Sequence, residues 1–197
     1  MKFIVSGIVD YSVSMIDMDI AHEMVSNGED EIVFITEHPP LYSAGKSFES
    51  SDFIKIPHAK IYYPGRGGRI VVHSPGQVVV YPIINLRKRN INISTFVYTL
   101  EQWMIDVLKK FNINATRSKK GVGVFVNESK IGFVGVKITK GVSMHGLCLN
   151  VNNDTSMFNS IIPCGIQGVQ ITSIQKILHN SIQINQVKDM FIKTIPF

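Results

Sequence analysis

Three β-rich runs that follow one another in the second half of the chain, at residues 122–126, 130–138 and 143–151, restrict the fold more than any other feature. Each alternates or runs apolar as a half-buried or buried strand does, and Asn127-Glu128-Ser129 reads as a hairpin turn. A doubly wound parallel fold needs a crossover helix after nearly every strand, and these runs leave no room for one. Further strands are expected at residues 31–36, ended by Pro39-Pro40, at 68–72 and at 78–84. Helices are expected at 13–26, where Val13, Ile16, Ile20 and Met24 recur at helical spacing before Asn27-Gly28, and at 183–192. Another runs from an N-cap at Ser94 to Lys110 and buries Phe96, Leu100, Trp103, Met104 and Val107. A short helix over 154–161 would end at Pro163-Cys164-Gly165. Strands outnumber helices without alternating with them. The expected class is therefore α+β, a mixed, largely antiparallel sheet with packed helices.

With 197 residues, 45% of them hydrophobic and 18% charged, the chain suits one domain spanning 1–197 with a real core. No stretch is long and apolar enough to span a bilayer, so no membrane partner is expected. The apolar run at 3–9 is cut by Asp10 and lacks a small-residue cleavage site, which argues against a signal peptide. Without secretion, Cys148 and Cys164 are not expected to pair, and a cytoplasmic location follows. The six histidines form no pair at metal-ligand spacing, so neither a metal nor a cofactor is expected. The formal charge of +5 gathers at Arg87-Lys88-Arg89 and around Arg117, Lys119 and Lys120, either as solvated surface or as a face for an acidic partner. No stacking-aromatic or helix-turn-helix motif accompanies it, which disfavours nucleic acid.

Two segments stand out chemically. In Arg66-Gly67-Gly68-Arg69-Ile70-Val71-Val72-His73-Ser74-Pro75-Gly76-Gln77, glycine turns at both ends of a strand allow close backbone approach to a ligand beside a fixed cation. Tight turns with incidental polar residues fit that spacing equally well. Phosphate motifs are excluded: Gly45-Lys46-Ser47 has Pro40 where a P-loop needs glycine, and Gly121-Val122-Gly123 lacks the third glycine of a dinucleotide fingerprint. In Pro163-Cys164-Gly165 a thiol sits in a bent, locally small turn that suits an exposed nucleophile, although a cysteine is more often a small buried hydrophobe. Cys148, inside an apolar run, fits the latter description. A nucleophilic thiol also needs a nearby cation to favour its thiolate, and His145, Lys130, Lys137 and Lys140 are the candidates. Spacing does not choose between them.

Glu37-His38-Pro39-Pro40 with Gly45, then Arg66-Gly67-Gly68, then His73-Ser74-Pro75-Gly76-Gln77 occur in order, followed by Lys130-Ile131, Gly135, His145-Gly146-Leu147, Leu149-Asn150 and Pro163-Cys164-Gly165. Over nearly its whole length this series resembles the lipoyl(octanoyl) transferases. The resemblance implies the α+β fold of lipoate and biotin protein ligases and a ping-pong acyl transfer. Octanoyl-acyl carrier protein would be the donor. Lipoyl domains of 2-oxoacid dehydrogenase complexes and the glycine cleavage H protein would be the acceptors, each taking the chain on a lysine.

By motif position, Cys164 would carry the acyl thioester and Lys130 would lower its pKa. Arg66, Gly67, Gly68, Arg69, Ile70, Val71, Val72 and His73, with Phe133, Val134 and Gly135 and with Gly146, Leu147 and Cys148, would line the acyl pocket. Val78 to Val80 would add apolar lining. A thioester donor is already activated, so no ATP site is required. The chain departs from the family at Ser74 (usually glycine), Val71-Val72 (Thr-Tyr), Gly123 (tryptophan) and Cys148 (alanine). The alternatives are an ATP-dependent lipoate or biotin protein ligase, which needs no cysteine, and a non-catalytic module that binds a carrier protein.

Overall fold

The computed structural model describes residues 1–197. The first half contains β1 (Lys2–Ile8), α1 (Tyr11–Ser26), β2 (Ile32–Glu37), β3 (Leu41–Ala44), β4 (Lys60–Tyr62), β5 (Ile70–His73) and β6 (Gln77–Ile83). The second contains α2 (Ile93–Lys109), β7 (Thr116–Ser118), β8 (Gly121–Val126), β9 (Ser129–Thr139), β10 (Val142–Asn150), α3 (Ile174–Leu178) and α4 (Ile184–Lys193).

Seven strands form one sheet in the order β1-β2-β6-β10-β9-β8-β7, antiparallel throughout except for the β1–β2 pair. The expected C-terminal meander is its backbone. A second sheet, β4-β3-β5, was not anticipated as separate, and its short strands β3 and β4 give too few alternating positions to be read. Side-chain alternation sends Val78, Val80, Leu147 and Leu149 to the face covered by α2 and α4. The intervening Val79, Tyr81 and Cys148 face α1 and the small sheet, where Tyr42, Ile70 and Val72 pack against them. Two cores result, and the site lies in the second.

Several local readings change. The run at 3–9 is a parallel edge strand, with Lys2 opposite Ile32 and Val5 opposite Ile35. α1 forms, but its buried face is Tyr11, Ser14, Met18, Ala21, His22 and Val25, while Val13, Ile16 and Ile20 are exposed. Both stripes have helical spacing, so periodicity alone does not set the rotation. Tyr11 sets it, through a hydroxyl bond to Ser43 and ring contacts with His38 and His73. α2 starts earlier than expected: Asn92, not Ser94, is the N-cap, its side chain accepting from the Thr95 N–H. Residues 156–160 are a 3₁₀ turn rather than an α-helix.

α4 is tied to the sheet by a buried ion pair. Lys188 Nζ donates to Glu37 Oε1 and to Ser6 O, each at 2.8 Å, and Glu37 Oε2 accepts the Gly76 N–H at 2.8 Å. Lys188→Met would strand the Glu37 carboxylate in the interior. The expected loss is about 3 kcal/mol of unfolding free energy by urea denaturation. An unchanged midpoint would mean that the pair does not anchor α4.

Candidate active site

The arginine–glycine loop is clamped from below by the chain leaving β3. The N–H groups of Gly45, Lys46 and Ser47 donate to the carbonyls of Arg69, Arg66 and Gly68. A Cβ on Gly45 would stand 2.1 Å from Gly68 O, so only glycine permits this approach. Gly67 N–H donates to Val136 O, fastening the loop to β9. Arg66 is buried; its Nε and Nη2 donate to the Oγ and O of Ser43 at 3.0 and 2.6 Å, and its Nη1 donates to Gly67 O at 2.8 Å. Its charge is held rigidly with no carboxylate beside it. Arg69, in contrast, pairs with Glu49 and Asp52.

The strand after this loop ends in a histidine whose tautomer can be deduced. Gln77 Nε2 donates to Val72 O and Asn150 Oδ1, so its Oε1 must be the atom 2.7 Å from His73 Nδ1. His73 therefore carries its proton on Nδ1. His38 likewise donates from Nδ1 to Val9 O and accepts at Nε2 from the Tyr81 hydroxyl. Burial holds His38 below the usual histidine range, and burial together with His38 holds His73 well below it.

His145 belongs to the same buried group. It is 1% exposed, sits at φ +57° inside β10, and neither ring nitrogen makes a hydrogen bond of normal geometry. Burial, with Arg66 and Lys137 adding repulsion, pushes it down to about 3. It is thus not the cation that spacing alone had left open. A histidine with a depressed folded pKa contributes stability above its unfolded value near 6.5, lost as pH falls toward the folded value. His145→Asn, which tolerates positive φ and does not titrate, should flatten the fall in stability between pH 6 and 4. The expected change is about 1.4 kcal/mol per pH unit in urea titrations. An unaltered slope would show that His145 is protonated in the folded state.

Cys164 occupies a 3₁₀ turn, Pro163–Gly165, at φ +55° and is partly accessible. A left-handed backbone is an uncommon and strained choice for a non-glycine residue. Gly165 (φ +72°) packs so closely on Arg69 that an added Cβ would lie 2.6 Å from Arg69 Cδ. Cys148 is the opposite kind of thiol, fully buried, its pKa pushed up to about 12 by burial.

One pocket brings most of these groups together. Of the expected lining residues, Arg66, Gly68, Arg69, Ile70, Val71, His73, Phe133, Val134, Gly135, Gly146, Leu147 and Cys148 border it, as does Cys164. Gly67 and Val72 do not: Gly67 is spent on the tether to β9, and Val72 points into the core. Val78 and Val80 face the other core, and only Val79 of that run reaches the pocket. Tyr11, Tyr81 and His145 complete the wall. Tyr11 gave no sequence signal because it comes from the first turn of α1.

Lys130 stands outside the lining. It is fully buried, its Nζ donates to Val122 O at 2.7 Å, and the rings of Phe133 and Phe125 lie 5.0 and 5.4 Å away. It makes no hydrogen bond to Cys164, although Phe133 borders both. The lysine backbone is fixed by the 170–172 segment, through Lys130 N–H to Gln170 O and Thr172 N–H to Lys130 O.

The family model for the lipoyl protein ligase A/B catalytic domain matches residues 10–196. An octanoyltransferase of Persephonella marina is 38% identical over 197 residues, covering 99% of this chain and 96% of that protein. An octanoyltransferase of Wolbachia pipientis is 36% identical over 192 residues, covering 94% and 93%. Among solved structures, lipoate-protein ligase A bound with ATP superposes with a TM-score of 0.81 at 13% identity, covering 98% of this chain and 83% of that one. A biotin protein ligase from Aquifex aeolicus gives 0.56 at 12% identity, with 99% and 67% covered. Both structural likenesses concern the fold.

Proposed function

The chain belongs to the octanoyltransferases of the lipoyl protein ligase A/B catalytic domain family and is an acyltransferase, and from this we propose that it transfers an octanoyl group through a thioester on Cys164. The observation that carries the reading is the partly accessible Cys164 at the rim of a pocket whose walls are mostly apolar. The working unit is one catalytic domain, residues 1–197, and its place of action is the cytoplasm.

In the first half-reaction the Cys164 thiolate attacks the carbonyl carbon of octanoyl-acyl carrier protein. A carbon–sulfur bond forms to Cys164, the bond to the carrier thiol breaks, and that thiol leaves with a proton. In the second, a lysine amine of a lipoyl domain, from a 2-oxoacid dehydrogenase complex or the glycine cleavage H protein, attacks the Cys164 thioester. An amide forms, the amine gives up a proton, and the Cys164 sulfur departs. Lys130 supplies positive charge on the Phe133 side of the pocket, favouring the thiolate at both stages. Ile70, Val71, Val79 and Phe133 receive the chain. Gly135 lets the Arg66 side chain lie against β9, and Gly146 lets β10 approach Val80 O of β6. The donor brings its own activation, so the reaction needs no nucleotide.

Incubation with octanoyl-acyl carrier protein in the absence of ATP should give a protein heavier by one octanoyl group in an intact mass spectrum. Subsequent addition of a lipoyl domain should discharge it. Transfer that requires free octanoate and ATP would support the ligase reading and reject this one.

A further inference from the structure

Behind Lys130 the chain places a carboxylate that does not touch it. Glu101, on α2, is buried, and its Oε1 accepts the Gly123 N–H at 2.7 Å. The carbonyl of that same peptide group belongs to Val122, and it accepts from Lys130 Nζ at 2.7 Å. One peptide unit therefore stands between carboxylate and ammonium, its N–H directed at the negative charge and its C=O at the positive one. Both charges interact favourably with the peptide dipole, and in a buried setting such aligned contacts strengthen one another. Without this arrangement Lys130 would be an ammonium among Phe125, Phe133 and backbone with no counter-charge behind it.

We propose that Glu101 is a positioning residue for Lys130, acting through the Val122–Gly123 peptide group to keep the ammonium charged and aimed beside the reaction pocket. Gly123 makes the relay possible. It lies at φ +130°, and a Cβ there would come within 2.6 Å of Lys130 Cε and 2.5 Å of Gly132 O. That position is thus free of any side chain where the lysine folds over the strand.

The groups facing this unit are few. Cys148 on β10 is within electrostatic reach of Lys130, Phe133 shares the pocket lining with Cys164, and Arg117 pairs with the outer oxygen of Glu101 at 3.1 Å. Arg117 is stacked on the Tyr98 ring at 3.5 Å and also donates to Tyr98 O and Gln102 Oε1. It withdraws part of the Glu101 charge from the relay. The two partners of Glu101 therefore pull in opposite directions, and this gives the test its sign.

The inference rests on the reading of Lys130 as the amine partner of the thiol, but its test does not depend on acyl transfer. Lysines labelled with ¹³C at Cε are titrated by NMR in the intact protein, with the Lys130 resonance identified by its absence in Lys130→Met. Glu101→Gln keeps an acceptor for the Gly123 N–H and removes only the charge. The Lys130 resonance should then titrate about one pH unit lower. Arg117→Met, at a partly exposed site, should move it upward. If Glu101→Gln does not fold, the Arg117→Met arm decides alone. A fall in the first variant with a rise in the second establishes the relay, and any other pattern overturns it. A failure of the octanoyl adduct to form on the unaltered protein would instead remove the function proposed above and leave these shifts intact.

Discussion

Replacing Cys164 by serine is expected to abolish the covalent octanoyl adduct and to lower transfer by about 10³-fold or more. A thiol near neutral pH is partly ionised, whereas a serine hydroxyl is not and needs a base to take its proton. No histidine of the pocket makes a hydrogen bond to Cys164: His73 gives its Nδ1–H to Gln77, and neither ring nitrogen of His145 is partnered. The second thiol in the same pocket cannot take over. With its pKa pushed up to about 12, Cys148 is ionised in roughly one molecule in 10⁵ at pH 7. The measurement is an intact mass spectrum after incubation with octanoyl-acyl carrier protein, together with the rate of lipoyl-domain acylation. Retention of the adduct by Cys164→Ser, mapped to Cys148, would reverse the roles of the two thiols.

How much of this was legible beforehand differs from residue to residue. The meander of β8, β9 and β10 was readable because each strand is long and carries its alternation for six or more residues. The small sheet was not, since β4 has three residues and β3 four, too short for a pattern. The buried face of α1 was not readable for another reason. Two apolar stripes share one helix, and the choice between them is made by Tyr11, whose partners Ser43, His38 and His73 are all remote in sequence.

The site shows the same division. Most of the arginine–glycine segment reaches the pocket as expected, because a strand bracketed by glycine turns has few ways to lie. Val72 does not, although Ile70, Val71 and His73 around it do; it is fully buried in the second core. His145 and Glu101 carry no local signal for their settings. One acquires its setting through a left-handed backbone in a strand, the other through a peptide group contributed by a different element. Arg117, grouped by sequence with a surface basic cluster, is in fact committed to Glu101 and Tyr98. Side-chain pairing across elements is the information that composition cannot supply.

The same distinction between scaffold and chemistry makes Lys130→Met the sharpest second test. For the fold, the change should be mild, within about 1 kcal/mol of the parent protein. Methionine matches the length and apolar stem of lysine, and the Phe125 and Phe133 rings already provide an apolar setting. The lost hydrogen bond to Val122 O is offset by removing a fully buried charge that touches no carboxylate. For the reaction, the change should be severe. Transfer is expected to fall by about 10³-fold, within the range for loss of a group that sets the charge state of a nucleophile. The reaction of Cys164 with iodoacetamide should move to higher pH, because a thiolate without its neighbouring cation forms less readily. Thermal unfolding, alkylation rate against pH and acyl transfer are measured on one preparation. A folded protein whose alkylation profile coincides with that of the parent would show that Lys130 does not act on the thiol. Its hydrogen bond to Val122 O, rather than any contact with the pocket, would then be the whole of its contribution.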